Sequence, residues 1–232
     1  NSYDIHSVET EITSDQSLVL KLPPYSDEQL PSVSIVTLTY QRSHLFPLAI
    51  RNWTTCTYPR HKLEWIIIDD SPQPEIKSLL PADPNIHYLH IVSSGRLNIG
   101  YKRNYGINYS HHDYLVFMDD DDYYYPLSVY ARIAILLTYP QYGLVGVCDL
   151  DVYDIVNHHS LKVKSPHLAE ASMGMTKSFW EKQKFPEQDN SLGEGYLLTK
   201  GRRHQTTQMP SAYNMIAVTH RQNVTGRNRS QS

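Results

Sequence analysis

The stretch from Tyr114 to Pro126, YLVFMDDDDYYYP, constrains this chain more than any other, because an apolar run empties straight into four consecutive carboxylates. Tyr114, Leu115, Val116, Phe117 and Met118 show no polar alternation, which fits a short strand covered on both faces. Such a strand needs helices on either side of its sheet. Asp119, Asp120, Asp121 and Asp122 follow with no basic residue between them. Adjacent carboxylates repel one another and resist desolvation, so a cation is expected among them. Aspartates at the carboxyl end of a buried strand can reach a divalent ion of hard-oxygen preference and a diphosphate together. Acidic runs are more often solvated turns, but fusion to a buried strand favours the metal.

A length of 232 residues supports one substantial core. We expect an N-terminal arm over residues 1–31, a single domain over 32–220 and a polar, basic tail over 221–232. A net charge of −3 gives no global basic field, which argues against a nucleic-acid partner. No apolar run approaches the roughly 20 residues that span a bilayer. The chain reads as soluble, with the cytoplasm and a secretory lumen both open, and its start at Asn1 rather than Met leaves room for a removed segment. Cys56 and Cys148 are far apart and lack metal-ligand spacing, so two buried thiols are expected rather than a disulfide framework or zinc site. Asn52, Asn108, Asn223 and Asn228 each begin a glycosylation sequon, relevant only in a secretory lumen.

From Ser32, SVSIVTLTY is rich in β-branched residues and ends in Gln41, Arg42 and Ser43, a first strand and its loop. Leu45, Leu48, Ala49 and Trp53 recur at helical spacing over 45–54. LEWIIIDDS is a second strand, again ending in carboxylates, Asp69 and Asp70. A proline-studded segment over 72–84 leads to a third strand over 86–92, a loop over 93–100 and a helix over 101–110 with Lys102 and Arg103 near its start. The order β-α-β-α-β-α-β predicts a mainly parallel, doubly wound sheet with its ligand at the carboxyl ends of the strands. Past Pro126 we expect a helix over 127–139, a strand over 143–150, a small hairpin about Asn157 and His158, and a tight loop followed by a short helix in SMGMTKSFW. A glycine-bounded loop should then open a helix near Tyr196, and a last strand over 214–218 precedes His220. Leu18 to Leu22 could add an edge strand.

These residues together resemble a nucleotide-sugar glycosyltransferase of the GT-A fold, similar to the family 2 group, over roughly Val33 to His220. The resemblance implies an α/β fold with a mainly parallel sheet flanked by helices and a small antiparallel addition in the C-terminal half. It puts Thr37, Thr39, Tyr40 and Arg42 near the nucleotide and Asp69 and Asp70 near the uracil. Gly100, Arg103 and Asn104 match the family loop that approaches the pyrophosphate and base, with Lys102 where alanine is usual. By the same analogy Asp119 faces the ribose, Asp120 joins the nucleotide site and Asp121 binds Mn²⁺ or Mg²⁺. Glu194 takes the place of a catalytic base, with Asp189 as a competing candidate because Gly195 replaces a second acid, and His220 stands where some members supply a further metal ligand. The implied reaction moves a hexose from a UDP-sugar to a hydroxyl of a glycan, lipid or polypeptide, with inversion; hydroxylysine of a collagen-like protein is one such acceptor.

Each match has a plainer reading, as a helix-terminal acid or a surface ion pair, and it is their order along the chain that carries the resemblance. A nucleotidyltransferase shares the plan but usually has a glycine-rich phosphate loop after its first strand, which TYQRSHL lacks. A non-catalytic carbohydrate-binding module is the other alternative, against which the intact carboxylates and Arg103 count.

Overall fold

The computed structural model describes residues 5–188 and 193–220. In chain order the strands and helices are β1 (His6–Ser7), β2 (Thr10–Ile12), β3 (Leu18–Leu20), β4 (Val33–Thr39), α1 (Phe46–Thr55), β5 (Leu63–Asp69) and β6 (Ile86–His90). They continue with α2 (Ile99–Tyr109), β7 (Tyr114–Phe117), β8 (Tyr123–Tyr124), α3 (Ser128–Thr138), β9 (Leu144–Gly146), β10 (Leu150–Asp154) and β11 (His159–Val163). The last are β12 (Gly174–Thr176), α4 (Lys177–Lys182), α5 (Glu194–Thr199), β13 (Thr206–Gln208) and β14 (Met215–Thr219).

An eight-stranded sheet in the order β1-β13-β9-β12-β7-β4-β5-β6 forms the centre. Its pairings are parallel except where β12 runs against β7 and β9. The central strands are buried end to end, as their unbroken β-branched and aromatic composition requires: all of β5, LEWIIID, is buried. Pairing of Thr39 with Asp69 brings the carboxyl ends of β4 and β5 level, and pairing of Val36 with Phe117 brings the end of β7 beside them. All the strand-end carboxylates therefore emerge at one edge, the site geometry of an open α/β sheet.

On one face α1 buries Phe46, Ala49 and Trp53, and both aromatic rings stack on Trp65 of β5, at centroid separations of 5.9 and 5.4 Å. On the other, α2 starts at an Asn98 cap that accepts the Tyr101 N–H. It comes so close to the sheet that a Cβ on Gly106 would lie 2.7 Å from Val36. In α3 the fully buried Arg132 donates to the carbonyls of Phe117 and Met173, tying the end of β7 to β12. Burial alone pushes its pKa down to about 10. A second sheet, β11-β10-β14-β8, carries the predicted hairpin, with His158 left-handed at its turn (φ 55°). Its β10–β14 pairing is parallel, so this addition is mixed rather than purely antiparallel.

The expected helix between the second and third strands is absent: a single 3-10 turn, Lys77–Leu79, lies between β5 and β6. Pro72, Pro74, Pro81 and Pro84 punctuate that segment and leave no uninterrupted run for a helix. The strand predicted over 143–150 ends at Gly146 and restarts at Leu150 in the other sheet. SMGMTKSFW contains β12 before its helix, and β13 was not foreseen; at three residues each they carry no periodicity. Leu18–Leu20 pairs with β2 in a separate two-stranded sheet, and it is β1 that joins the edge of the large one. Cys56 and Cys148 are buried free thiols. No helix among the described residues is long and apolar enough to cross a membrane.

Candidate active site

The carboxyl ends of β4 and β7 and the start of α2 open onto a cleft of about 270 Å³. Its carboxylates are Asp119, Asp120, Asp121, Glu170 and Glu194, and its cations are Arg42, Arg96, Lys102 and Arg103. The exit of β4 makes this possible. Gln41 adopts the left-handed region (φ 50°), held by its N–H to Ser71 Oγ at 2.8 Å, and the turn delivers Arg42 into the acidic run. Arg42 Nη1 donates to Asp120 Oδ1 at 2.9 Å and Asp121 Oδ2 at 3.2 Å. Desolvation works against the Arg42 charge, but these carboxylates outweigh it and raise its pKa.

The four aspartates have four environments. Asp119 takes both terminal nitrogens of Arg103 at 3.2 Å. Asp120 is 1% exposed, and burial with the adjacent Asp121 charge pushes its pKa up to about 6. Asp121 Oδ2 lies 2.9 Å from His220 Nε2. Asp122 accepts the Val218 N–H at 3.0 Å while its carbonyl accepts Asn52 Nδ2, binding the run to β14 and α1. That contact buries Asn52, so its sequon is closed in the folded protein; Asn108 is exposed, and Asn223 and Asn228 lie outside the described residues. One oxygen each from Asp119, Asp121 and Asp122 falls within 4.8 Å of the others. Beside them Asp120 Oδ2 and Thr39 Oγ1 are buried and make no well-formed hydrogen bond among the described residues, although the Thr39 hydroxyl is near enough to the Asp120 carboxylate to oppose the rise in its pKa. A carboxylate donor set with such oxygens alongside fits Mg²⁺ or Mn²⁺.

Several other expected site residues serve the scaffold. Thr37 is fully buried, donating to the Met118 carbonyl at 2.6 Å and accepting from Trp65 Nε1 at 2.8 Å, and it does not line the cleft. Gly100 is required by packing: a Cβ there would sit 1.8 Å from the Pro186 carbonyl oxygen. Asn104 binds the same loop, donating to the Phe185 carbonyl and accepting from Phe185 N–H and Trp180 Nε1. Asp69 is engaged by Ser71 N–H and Tyr88 OH. Asp70 is engaged by Leu97 N–H and by Lys102 Nζ at 2.5 Å. Thr39, Tyr40, Arg42, Arg103, Asp119, Asp120, Asp121 and Glu194 do line the cleft, and His220 touches it through Asp121. Asp189 lies outside the described residues.

The residues that sequence reading missed are Arg96, Glu170 and Asp122's anchoring role. Arg96 sits over the Tyr40 ring at 4.8 Å, in a loop without any motif. Glu170 accepts Arg103 Nε at 2.9 Å and the Gly195 N–H at 3.1 Å, so it joins α2 to the start of α5 beside Glu194. Burial raises the Glu170 pKa against the pull of Arg103, and Glu194 adds to the rise. Only its position 25 residues ahead of Gly195 connects the two in sequence, and no local pattern signals that.

Residues 34–197 match the model of the glycosyl transferase family 2, and the chain belongs to that family. No curated protein matches its sequence. Among solved structures, the mannosyltransferase PcManGT from Pyrobaculum calidifontis in complex with GDP-Man and Mn²⁺ superposes with a TM-score of 0.67 at 14% identity. That likeness covers 88% of this chain and 61% of that one. S. aureus TarS 1–349 gives 0.64 at 14%, covering 81% and 60%, and its complex with UDP-GlcNAc gives 0.63 at 13%, covering 87% and 61%. The fold is thus GT-A, and this chain spans about three fifths of the length of these neighbours.

Proposed function

We propose that this chain is a metal-dependent glycosyltransferase that moves a hexose from a UDP-sugar to an acceptor hydroxyl with inversion. The observation that carries the reading is the pairing, in one cleft, of a carboxylate cluster with Arg42, Arg96, Lys102 and Arg103. Such a mixture suits a cation and a diphosphate held side by side. The PcManGT neighbour in complex with GDP-Man and Mn²⁺ and the TarS neighbour in complex with UDP-GlcNAc support a nucleotide-sugar donor. Membership in family 2 supports the transfer itself. The acceptor is a glycan or a polypeptide hydroxyl, hydroxylysine among them.

Asp121, with Asp119, Asp122 and His220 around it, would hold the divalent ion, whose chemistry is to neutralise the departing diphosphate. Asp119 would face the ribose, and Arg42 and Arg96, which line the same cleft, would take the phosphates. Glu194, at the first turn of α5 on the cleft wall, takes the acceptor's proton as its oxygen bonds to the anomeric carbon and the sugar–phosphate bond breaks, releasing UDP. Glu170 holds the backbone next to Glu194 in place through Gly195.

Calorimetric titration of UDP with and without Mn²⁺, on the wild type, Asp121→Ala and Glu194→Gln, tests both assignments. Asp121→Ala should lose metal-dependent UDP binding while melting cooperatively. Glu194→Gln should keep that binding and lose roughly 10² to 10⁴ in transfer rate. Unchanged Mn²⁺-dependent binding by Asp121→Ala overturns the metal assignment. Full activity of Glu194→Gln moves the base to another carboxylate, Asp189 first.

A further inference from the structure

At the opposite end of the sheet from the cleft, Glu64, His87 and His111 converge. Glu64 is the second residue of β5, His87 the second of β6, and His111 follows α2 just before β7. Because β5, β6 and β7 run parallel within one sheet, these are amino-terminal positions, while Asp69 and the acidic run lie at the carboxyl ends. We propose that Glu64, His87 and His111 form a second metal site, for a divalent first-row ion such as zinc, that joins β5, β6 and the α2–β7 connection.

The carboxylate is arranged as a ligand would be. Its Oε1 accepts the Ser34 hydroxyl at 2.6 Å and the His111 N–H at 2.7 Å, which fix the orientation of the group. Its Oε2 is left to the two imidazoles, 2.8 Å from His111 Nδ1 and 3.4 Å from His87 Nε2. The three donor atoms all lie within 4.8 Å of one another. A tetrahedral zinc ion with bonds of about 2.0–2.1 Å holds its ligands about 3.3 Å apart, a spacing the two carboxylate–imidazole distances of 2.8 and 3.4 Å bracket.

Glu64 is 4% exposed, and burial opposes its charge. Hydrogen bonds from His111 N–H, the Ser34 hydroxyl and the His111 ring outweigh burial and hold its pKa below the usual carboxylate range. For His111 to bind through Nδ1, its proton moves to Nε2, on a side chain 60% exposed to solvent. That exposure also leaves an entry path and room for a water as fourth ligand. The rings of His87 and His111 are 5.7 Å apart, and Tyr109 meets both edge-on at 5.8 and 5.6 Å, walling one side. Two nitrogens and one oxygen suit zinc and other divalent first-row ions, whereas the carboxylate-dominated cleft suits Mg²⁺ or Mn²⁺. The proposal does not depend on the glycosyltransferase reading.

The test is zinc chloride titrated into tag-free, chelator-stripped protein in competition with a chromogenic chelator, for wild type, Asp121→Ala and, in the Asp121→Ala background, His111→Ala and His87→Ala/His111→Ala. Asp121→Ala removes the competing cleft carboxylate and should still hold one equivalent. His111→Ala, a change at an exposed side chain that leaves the fold intact, should weaken that equivalent at least tenfold, and the two histidine substitutions together should lose it. Zinc at about 100 times its dissociation constant should raise the melting temperature of Asp121→Ala by roughly 5–10 °C. Equal zinc affinity and stoichiometry in Asp121→Ala with and without the two histidine substitutions overturn the site, as does a melting temperature of Asp121→Ala that zinc leaves unchanged.

Discussion

Lys102 shows how one residue alters the use of its neighbours. It occupies a helix position where the family pattern has alanine, and it is 3% exposed. Its ammonium bonds Asp70 Oδ1 and the Thr39 carbonyl, the latter at 3.0 Å, so the last residue of β4 and the carboxylate beyond β5 share one cation. Burial lowers the Lys102 pKa and the Asp70 charge pulls it back up. A buried pair of this kind contributes little over an apolar replacement, yet losing one partner is expensive because the other remains charged and desolvated. Lys102→Ala should therefore cost about 3–5 kcal/mol in urea unfolding, while Asp70→Asn combined with Lys102→Met should recover most of it. A Lys102→Ala penalty below about 1 kcal/mol would mean the pair is solvated and behaves as a surface bridge.

At the scale of elements, Gly100 and Asn104, expected from the sequence beside the ligand, clamp α2 to the loop 185–187. One face of α2 supplies Lys102 and Arg103 to the cleft, and Gly100 and Asn104 hold the segment that leads toward α5. Asn104→Ala strands two buried donors, Phe185 N–H and Trp180 Nε1, at about 1–3 kcal/mol each. The expected result is a stability loss of that size, with faster amide exchange in α4 and the 185–187 loop and UDP binding altered less than stability. If Asn104→Ala instead melts like the wild type and loses nucleotide affinity, the residue belongs to the ligand. The strands β4, β5 and β7 and the helices α1 and α3 were legible because apolar runs and helical spacing are local. The roles of Thr37, Gly100 and Asn104 were not, since a glycine or a small polar residue beside a strand end looks the same whether it meets a phosphate or a neighbouring carbonyl. Glu170 was invisible for a related reason: its importance comes from contacts with Arg103 and Gly195 far away in the chain.

Across the whole molecule, the first residues were expected to form an arm outside the domain, yet their contacts run the width of it. Ile5 and Val8 are buried in separate hydrophobic clusters, and Leu30, 3% exposed, belongs to the same cluster as Val8. β1 extends the large sheet beyond β13, with the Val8 N–H donating to the Gln208 carbonyl at 3.0 Å. Further along, the Tyr25 N–H reaches Tyr130 OH on α3, and Lys62 Nζ donates to the Leu30 carbonyl at 2.6 Å. Three fully buried aliphatic side chains represent roughly 5–8 kcal/mol of burial, an upper figure since the unfolded chain already hides part of that surface. A domain of this kind holds only about 5–15 kcal/mol in all, so the arm's contribution is comparable to the entire margin. Removing β1 would also leave β13 as a bare sheet edge, open to pairing with another chain. A version beginning at Ser32 should therefore accumulate as aggregate, or unfold without a cooperative transition at room temperature, when compared with the full chain by size-exclusion chromatography and thermal circular dichroism. A monomeric product melting within a few degrees of the full chain would show that residues 32–220 fold alone and that the arm is an accessory.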